Sequence, residues 1–231
     1  MRALVSGANR GLGLEFVRQL LAQGARVIAA CRHPGRAHEL TAQAAAHPGH
    51  LHVLPLDLAK PASIAELARE AAMVFDGLDL LVNNAGLLVS GERWGALEAG
   101  NLEASLRTNA IGPLLLTQAL TALLERGETP CVANLSSVMG SIAAVREFRS
   151  PSYAMSKAAL NMATVQLTHA LAPHGIAVLA LHPGWVRTDM GGDQAQLEPV
   201  AAVAGLLRVI AGSGPADSGS FRDWQGKALA W

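Results

Sequence analysis

The feature that most constrains the fold is an alternation, along the whole chain, of short apolar runs with longer amphipathic stretches. The apolar runs lack strict polar–apolar alternation, which is typical of parallel strands buried on both faces. The predicted strands are Ala3–Ser6, Arg26–Cys31, Leu51–Leu56, Leu78–Asn83, Cys131–Leu135, Ile176–Leu181 and Phe221–Trp224. The predicted helices are Leu12–Ala22, Ala37–Ala46, Ala62–Phe75, Leu102–Glu125, Ser152–Ala172 and Pro199–Ile210. Right-handed crossovers then give an α/β fold: a doubly wound, mostly parallel sheet of about seven strands with helices on both faces.

Composition limits the function classes. The 231 residues suit one domain, 1–231, and they include 51% hydrophobic and 16% charged residues with a net charge of zero. We expect no nucleic-acid partner, because there is no basic run, and no membrane span, because no apolar run is long enough. Without an N-terminal signal pattern, and with Cys31 and Cys131 in strand-like contexts, we expect a cytoplasmic protein with reduced thiols. The eight histidines show no paired ligand spacing, so we expect no metal.

A glycine-rich loop joins the first predicted strand to the first predicted helix. Glycine allows a sharp turn and a close approach to a ligand, and the helix N-terminus favours a phosphate. In this position the loop predicts a dinucleotide site. The predicted contacts are Gly7, Asn9, Arg10, Gly11, Leu12 and Gly13.

The end of the second strand indicates which dinucleotide is bound. An acidic residue there would bind the ribose 2′-hydroxyl, whereas an arginine suits a 2′-phosphate. Arg32 takes the place of the acid, and Arg10 lies in the glycine loop. The pair favours NADP(H) over NAD, unless both arginines are simply solvated surface residues.

The chain's single tyrosine, Tyr153, lies four residues before Lys157, one of only three lysines. Four residues is about one helical turn, so the two side chains share a helix face. An ammonium at about 4 Å supplies roughly 4 kcal/mol at an intermediate dielectric. That is enough to lower the phenol pKa by about three units. Ser150-Pro151 further predicts an N-cap followed by Pro at the first helical position, with the positive helix end close to Tyr153.

Together with Asn83-Asn84-Ala85-Gly86 and Tyr153-x-x-x-Lys157, the glycine loop resembles the short-chain dehydrogenase/reductase family over essentially the whole chain. The C-terminal region is similar to small carbonyl reductases of the sniffer and C-factor type. The resemblance implies a Rossmann fold and a catalytic set of Asn109, Ser137, Tyr153 and Lys157. Either Ser136 or Ser137 could face the substrate, and Ser137 matches the family pattern as the second of the pair. Further implied cofactor contacts are Asp57, Leu58, Asn84, Ala85, Gly86, Tyr153, Lys157, Pro183, Gly184, Val186 and Thr188.

Two functions of different classes remain open. One is an NADPH-dependent reductase acting on a ketone or aldehyde, with Tyr153 as general acid/base and Asn109 holding a water that connects Lys157 to solvent. The other is an NADP-binding signalling or redox-sensing protein with little turnover. The expected substrate pocket is formed by Leu87–Trp94, Ser141–Phe148 and Met190–Leu197. Apolar helix faces predict a homodimer or homotetramer.

Overall fold

Seven strands build the centre of the protein, and the computed structural model describes all 231 residues. The strands are β1 (Arg2–Ser6), β2 (Arg26–Cys31), β3 (Leu51–Pro55), β4 (Leu80–Asn83), β5 (Cys131–Leu135), β6 (Ala177–His182) and β7 (Phe221–Asp223). They form one sheet in the order β3-β2-β1-β4-β5-β6-β7, and every neighbouring pair is parallel. The predicted doubly wound α/β architecture is confirmed.

Helices cover both faces of this sheet. They are α1 (Gly11–Ala22), α2 (His38–Ala46), α3 (Pro61–Val74), α4 (Ala99–Leu106), α5 (Gly112–Leu124), α6 (Pro151–Leu171) and α7 (Pro199–Ala211). One core of 27 buried residues joins one face of the sheet to α1 and α7, and a second of 20 joins the other face to α3, α5 and α6. Two cores explain why the strands read as continuous apolar runs. None of the helices has both the length and the apolarity needed to cross a membrane.

One predicted helix differs in detail from the structure. The stretch predicted as Leu102–Glu125 begins at Ala99, and Arg107–Ile111 forms a π-helical turn between α4 and α5. Gly100 and Asn101, both poor helix formers, explain why the pattern places the start too late. The other predicted elements agree with the structure to within two residues at each end.

The topology brings the chemically interesting residues to one edge. In a parallel sheet all strands end at the same edge, and ligands bind where the strand order reverses. Here the reversal lies between β1 and β4, with β5 beside β4. The segments after β1, β4, β5 and β6 contain the glycine loop, the Asn84-Ala85-Gly86 turn, Ser137 and the Pro183–Thr188 loop.

Candidate active site

The glycine loop is built for close approach of backbone to backbone. Gly7 has φ +65°, and a Cβ there would lie 2.7 Å from Ala85 Cα. A Cβ on Gly13 would lie 2.2 Å from the Gly7 carbonyl oxygen. Gly11, at φ +53°, also has the backbone conformation that favours glycine. Side chains at these positions would force the loop away from the β4 turn and from the start of α1.

Asn84 and Ala85 hold the loop in place. The Asn84 amide Nδ2 donates to the Ser6 and Gly7 carbonyl oxygens at 2.9 and 3.1 Å. The backbone N–H groups of Asn84 and Ala85 donate to the Ser6 hydroxyl at 3.1 and 3.2 Å. Ser6 is fully buried. The Ser6 hydroxyl therefore has a structural role, and the Asn84 side chain holds the backbone of the glycine loop in position.

The first turn of α1 fits a phosphate. No side chain caps the helix, since Arg10 at the N-cap is extended and makes no capping hydrogen bond. The first-turn N–H groups and the positive helix end therefore remain available to an anion. Gly11 has only the Thr188 side chain within 4 Å of a would-be Cβ. The predicted contact region around Asn9, Leu12 and Thr188 thus surrounds an open helix N-terminus.

A cavity of about 500 Å³ lies beside the carboxyl ends of β2 and β3. It is lined by Arg32, His33, Pro55, Leu56, Asp57, Lys60 and Ser63. Asp57 is fixed by its backbone N–H, which donates to the Ser63 hydroxyl at 2.9 Å, and by its Oδ1, which accepts from the Ala59 N–H at 3.1 Å. Leu58 points away into the core and is 6% exposed. Lys60 pairs with Asp57 at 3.4 Å, which leaves Arg32 as the cation of this cavity without an ion-pair partner, and an adenosine end with extra negative charge suits it.

The second predicted arginine lies differently. Arg10 is not among the residues that line the Arg32 cavity, and its Nη1 donates to Asp189 Oδ2 at 2.8 Å. Both side chains are largely exposed, so this ion pair is weak and can exchange partners. Arg10 therefore reaches across the mouth of the glycine loop to the segment after β6, and its contact with a 2′-phosphate stays a prediction.

The loop after β6 is supported from below by Trp224. A Cβ on Gly184 would lie 3.2 Å from the Trp224 ring, and one on Gly205 of α7 would lie 2.7 Å from it. Gly184 also has φ +85°. Val186 is buried and forms a bridge with Leu197. The indole between two glycines thus fixes Pro183–Thr188 against the sheet, and the sequence gives no signal for Trp224 in this role beyond its aromatic character.

The structure separates the two candidate serines. Ser136 is 2% exposed and donates its hydroxyl to Asn161 Oδ1 at 2.5 Å, so it turns into the protein. Ser137 lies close enough to the Tyr153 phenol to lower its pKa, and its Oγ accepts from the Met139 N–H at 3.1 Å. Ser137 is therefore the serine on the side of Tyr153, and its contact with a substrate stays a prediction.

The electrostatics of Tyr153 and Lys157 differ from the prediction. The Lys157 ammonium donates to the Leu135 carbonyl oxygen at 2.6 Å, and its Nζ lies 5.5 Å from the centre of the Tyr153 ring. Burial raises the pKa of Tyr153 to about 12, and the nearby Ser137 hydroxyl opposes that shift without overcoming it. The expected net lowering of the phenol pKa is thus wrong for this arrangement, because burial outweighs the groups that favour the phenolate. Burial also lowers the pKa of Lys157 to about 8.

Asn109 lies in the π-helical turn and is fully buried. Its Oδ1 accepts from the Leu87 N–H at 2.7 Å, while its Nδ2 donates to the Leu87 carbonyl oxygen and the Ser156 hydroxyl, both at 2.8 Å. The side chain thus joins the segment after Gly86 to α6. These contacts use both N–H donors of the amide and one of the two lone pairs of Oδ1, so the water-holding role stays a prediction.

Helix α6 starts where predicted, with Ser150 at the N-cap position and Pro151 as its first residue, but Ser150 does not provide the expected cap. Ser150 has φ +43° and makes no capping hydrogen bond. The cap comes from Glu92, whose Oε2 accepts from the Ser152 hydroxyl at 2.8 Å and from the Ser152 N–H at 3.2 Å. A carboxylate at a helix N-terminus is favourable. Only the fold brings Glu92 to a helix that starts about sixty residues later, so local sequence patterns could not reveal it.

Two of the three predicted pocket segments meet at the outer rim. Trp94 and Phe148 pack edge to face with ring centres 5.7 Å apart. Trp185 contacts the third predicted segment, because its indole N–H donates to the Gly191 carbonyl oxygen at 2.8 Å. These three aromatic side chains are more than half exposed. Exposed aromatic side chains on these segments are compatible with a substrate that has an apolar body.

Comparisons with known proteins agree with this geometry. A family model described as short chain dehydrogenase matches residues 1–198. The chain therefore belongs to the short-chain dehydrogenase/reductase family, as an oxidoreductase with a Rossmann-type fold. No cluster of three or more His, Cys, Asp or Glu side chains is arranged to hold a metal ion.

Individual relatives indicate which members of the family this chain resembles. The NADPH-bound carbonyl reductase from chicken fatty liver superposes with a TM-score of 0.93 at 39% identity, covering 100% of this chain and 98% of that one. Carbonyl reductase Sniffer of D. melanogaster gives 0.94 at 33%, covering 100% and 99%. A Myxococcus xanthus protein named C-signal is 42% identical over 154 residues, 67% of this chain and 93% of its own length. The chain is thus similar to the predicted subgroup.

Proposed function

We propose that the protein is an NADPH-dependent carbonyl reductase that converts a ketone or aldehyde to the alcohol. One observation supports this proposal most directly: Ser137, Tyr153 and Lys157 lie close together at the same edge of the sheet as the glycine loop. The two solved carbonyl reductases with TM-scores above 0.9 support the reaction class.

NADP(H) fits the residues present. The uncapped start of α1 suits the pyrophosphate, and the cavity with Arg32 and Lys60 suits an adenosine 2′-phosphate. Lys157 and the loop around Gly184 and Thr188 would hold the nicotinamide riboside end. Structural relatives solved with NADPH or NADP support this choice. When bound, the nicotinamide supplies the hydride that the carbonyl carbon receives.

The chain's own residues manage the oxygen of the substrate. Ser137 donates a hydrogen bond that orients the carbonyl and stabilises the negative charge that develops on its oxygen. Tyr153 donates the proton that completes the alcohol. The Lys157 ammonium, held by the Leu135 carbonyl oxygen, places a positive charge beside the phenol ring and favours the phenolate left behind.

The raised pKa of Tyr153 bears on which protonation state the phenol has near neutral pH. At neutral pH a phenol with a pKa of about 12 is protonated, which is the form that carbonyl reduction requires. Alcohol oxidation would need the phenolate, which the same burial disfavours. Tyr153 therefore has the protonation state that reduction requires near neutrality, and alcohol oxidation should become faster at alkaline pH.

The test is NADPH oxidation against a panel of ketones and aldehydes, with Tyr153→Phe as the variant. The phenylalanine keeps the ring and loses the proton donor, so turnover should fall by about 10²- to 10⁴-fold. Binding of NADPH, followed by its fluorescence, and the melting temperature should stay unchanged. Full turnover in Tyr153→Phe would refute the proposed mechanism.

A second candidate is an NADP-binding signalling or redox-sensing protein with little turnover. The likeness to the Myxococcus protein named C-signal supports it. Retention of Tyr153 and Lys157 in hydrogen-bonding surroundings favours the enzyme. Tight NADPH binding with no oxidation across a broad carbonyl panel would favour the sensor.

A homodimer or homotetramer remains part of the proposal. Helices α5 and α6 have exposed apolar side chains, including Leu114, Met155 and Met162. Such surface suits a helical contact between copies. Light scattering of the protein and of a Met155→Glu, Met162→Glu double variant tests it, because a dimer should dissociate in the variant. A cytoplasmic location likewise remains a proposal, to be tested by fractionation.

A further inference from the structure

Asn161 forms a buried bridge between helix α6 and the segment that contains Ser137. Its Oδ1 accepts from the Ser136 hydroxyl at 2.5 Å, and its Nδ2 donates to the Gly140 carbonyl oxygen at 3.2 Å. Asn161 is 4% exposed and Ser136 is 2% exposed. The two partners stand on either side of Ser137 in the chain, so one amide side chain holds both flanks of the serine.

Asn161 lies on the same helix as Tyr153 and Lys157, so its bridge links the Ser137 segment to the helix that contains them. Tyr153, Lys157 and Asn161 follow one another at intervals of four residues and share a helix face. The Ser137 segment packs directly against that face, since a Cβ on Gly140 would lie 2.6 Å from the Lys157 backbone carbonyl carbon. Any shift of the segment along α6 would therefore change the separation of the Ser137 hydroxyl from the Tyr153 phenol.

We propose that Asn161 is a positioning residue that sets the Ser137 hydroxyl against the Tyr153 phenol. It touches neither substrate nor cofactor in this proposal and acts only through Ser137. The inference rests on the proposed reductase function, because orientation of Ser137 matters to turnover only if Ser137 orients a carbonyl. A misplaced donor costs rate steeply, since catalytic hydrogen bonds depend on geometry.

Thr164 provides a control that distinguishes positioning of Ser137 from general stabilisation of the fold. Thr164, three residues further along α6, is also fully buried and hydrogen-bonded. Its hydroxyl donates to the Leu160 carbonyl oxygen at 2.9 Å and accepts from Asn134 Nδ2 at 2.9 Å, so it does not contact the segment from Ser136 to Gly140. Thr164→Ala is thus a matched control for a lost buried hydrogen bond on the same helix.

The experiment is a double-mutant cycle between Asn161→Ala and Ser137→Ala, with kcat for carbonyl reduction as the readout. In the wild-type background, Asn161→Ala should lower kcat about tenfold, as expected for the loss of one to two hydrogen bonds that orient a catalytic group. The dissociation constant for NADPH should not change. In the Ser137→Ala background, the same substitution should lower kcat by less than about twofold.

Each result has a defined meaning. A tenfold loss that persists in the Ser137→Ala background, or an equal loss in Thr164→Ala, overturns the positioning role. If Ser137→Ala retains full activity, Ser137 does not orient the carbonyl and the positioning role is overturned with it, whereas a lack of carbonyl reduction by the unaltered protein refutes the proposed function itself. If Asn161→Ala does not fold, Ser136→Ala replaces it in the same cycle. That variant removes one of the two bridging bonds and should lower kcat about threefold, again only while Ser137 is present.

Discussion

Gly140 offers a quantitative test of the site geometry. A Cβ there would lie 2.6 Å from the Lys157 carbonyl carbon, whereas unstrained carbon contacts lie at about 3.5–4.0 Å. Gly140→Ala must therefore separate the Ser137 segment from α6 by about 1 Å. A displacement of that size at a catalytic group costs about 10²-fold in rate. Overpacking should also lower the free energy of unfolding by about 1–3 kcal/mol.

Steady-state reduction at saturating NADPH measures the loss, and urea unfolding measures the stability. Gly127→Ala is the control, because its Cβ would lie 2.2 Å from the Leu78 carbonyl oxygen, close to the opposite edge of the sheet. We expect Gly127→Ala to be destabilised but to retain its kcat. A normal kcat in Gly140→Ala, or an equal loss of kcat in both variants, would refute the reasoning.

Three further predictions follow from the charges. Arg32→Ala should raise the dissociation constant for NADPH about 10- to 100-fold and leave that for NADH unchanged. Arg36 lies outside the cavity, so Arg36→Ala should change neither constant. Titration calorimetry measures both. Because burial lowers the pKa of Lys157 to about 8, kcat for reduction should fall as the pH rises through 8, and a flat pH–rate profile there would contradict this. Burial opposes ionisation of Asp79, but hydrogen bonds from Arg2 and Glu128 hold its pKa at about 2; its stabilising contribution should therefore be present above pH 3.8 and lost toward pH 2. Asp79→Asn should cost about 2 kcal/mol in urea unfolding at neutral pH and very little at pH 2.

Much of the fold could be predicted because each strand and helix has its own local pattern. The seven apolar runs and the glycine loop sufficed for element order and for a parallel sheet. The π-helical turn around Asn109 could not be predicted, since no local preference distinguishes it from an α-helix. Its cause is tertiary, because the Asn109 side chain bonds Leu87 and Ser156 from other parts of the chain.

At the site, residue types were predictable and their electrostatics were not. The Tyr153–Lys157 spacing correctly indicates a shared helix face. It contains no information about the Leu135 carbonyl oxygen that binds the ammonium, or about the burial that raises the phenol pKa. Asn161 did leave a signal: a polar residue two turns after Tyr153 on the same face of a helix that packs on the sheet. Local patterns alone could not identify its partners, because Ser136 and Gly140 meet it only in three dimensions.

The strand order also has a consequence for assembly of the chain during synthesis. From β4 onward each new strand joins the outside of the previous one, so an unfinished chain presents a free strand edge able to pair with other molecules. The finished sheet has protected borders: β3 ends in Pro55, and β7 is three residues long, includes Arg222 and Asp223, and forms a bridge between Arg222 and Ala228. Aggregation should accordingly threaten the nascent chain far more than the folded protein.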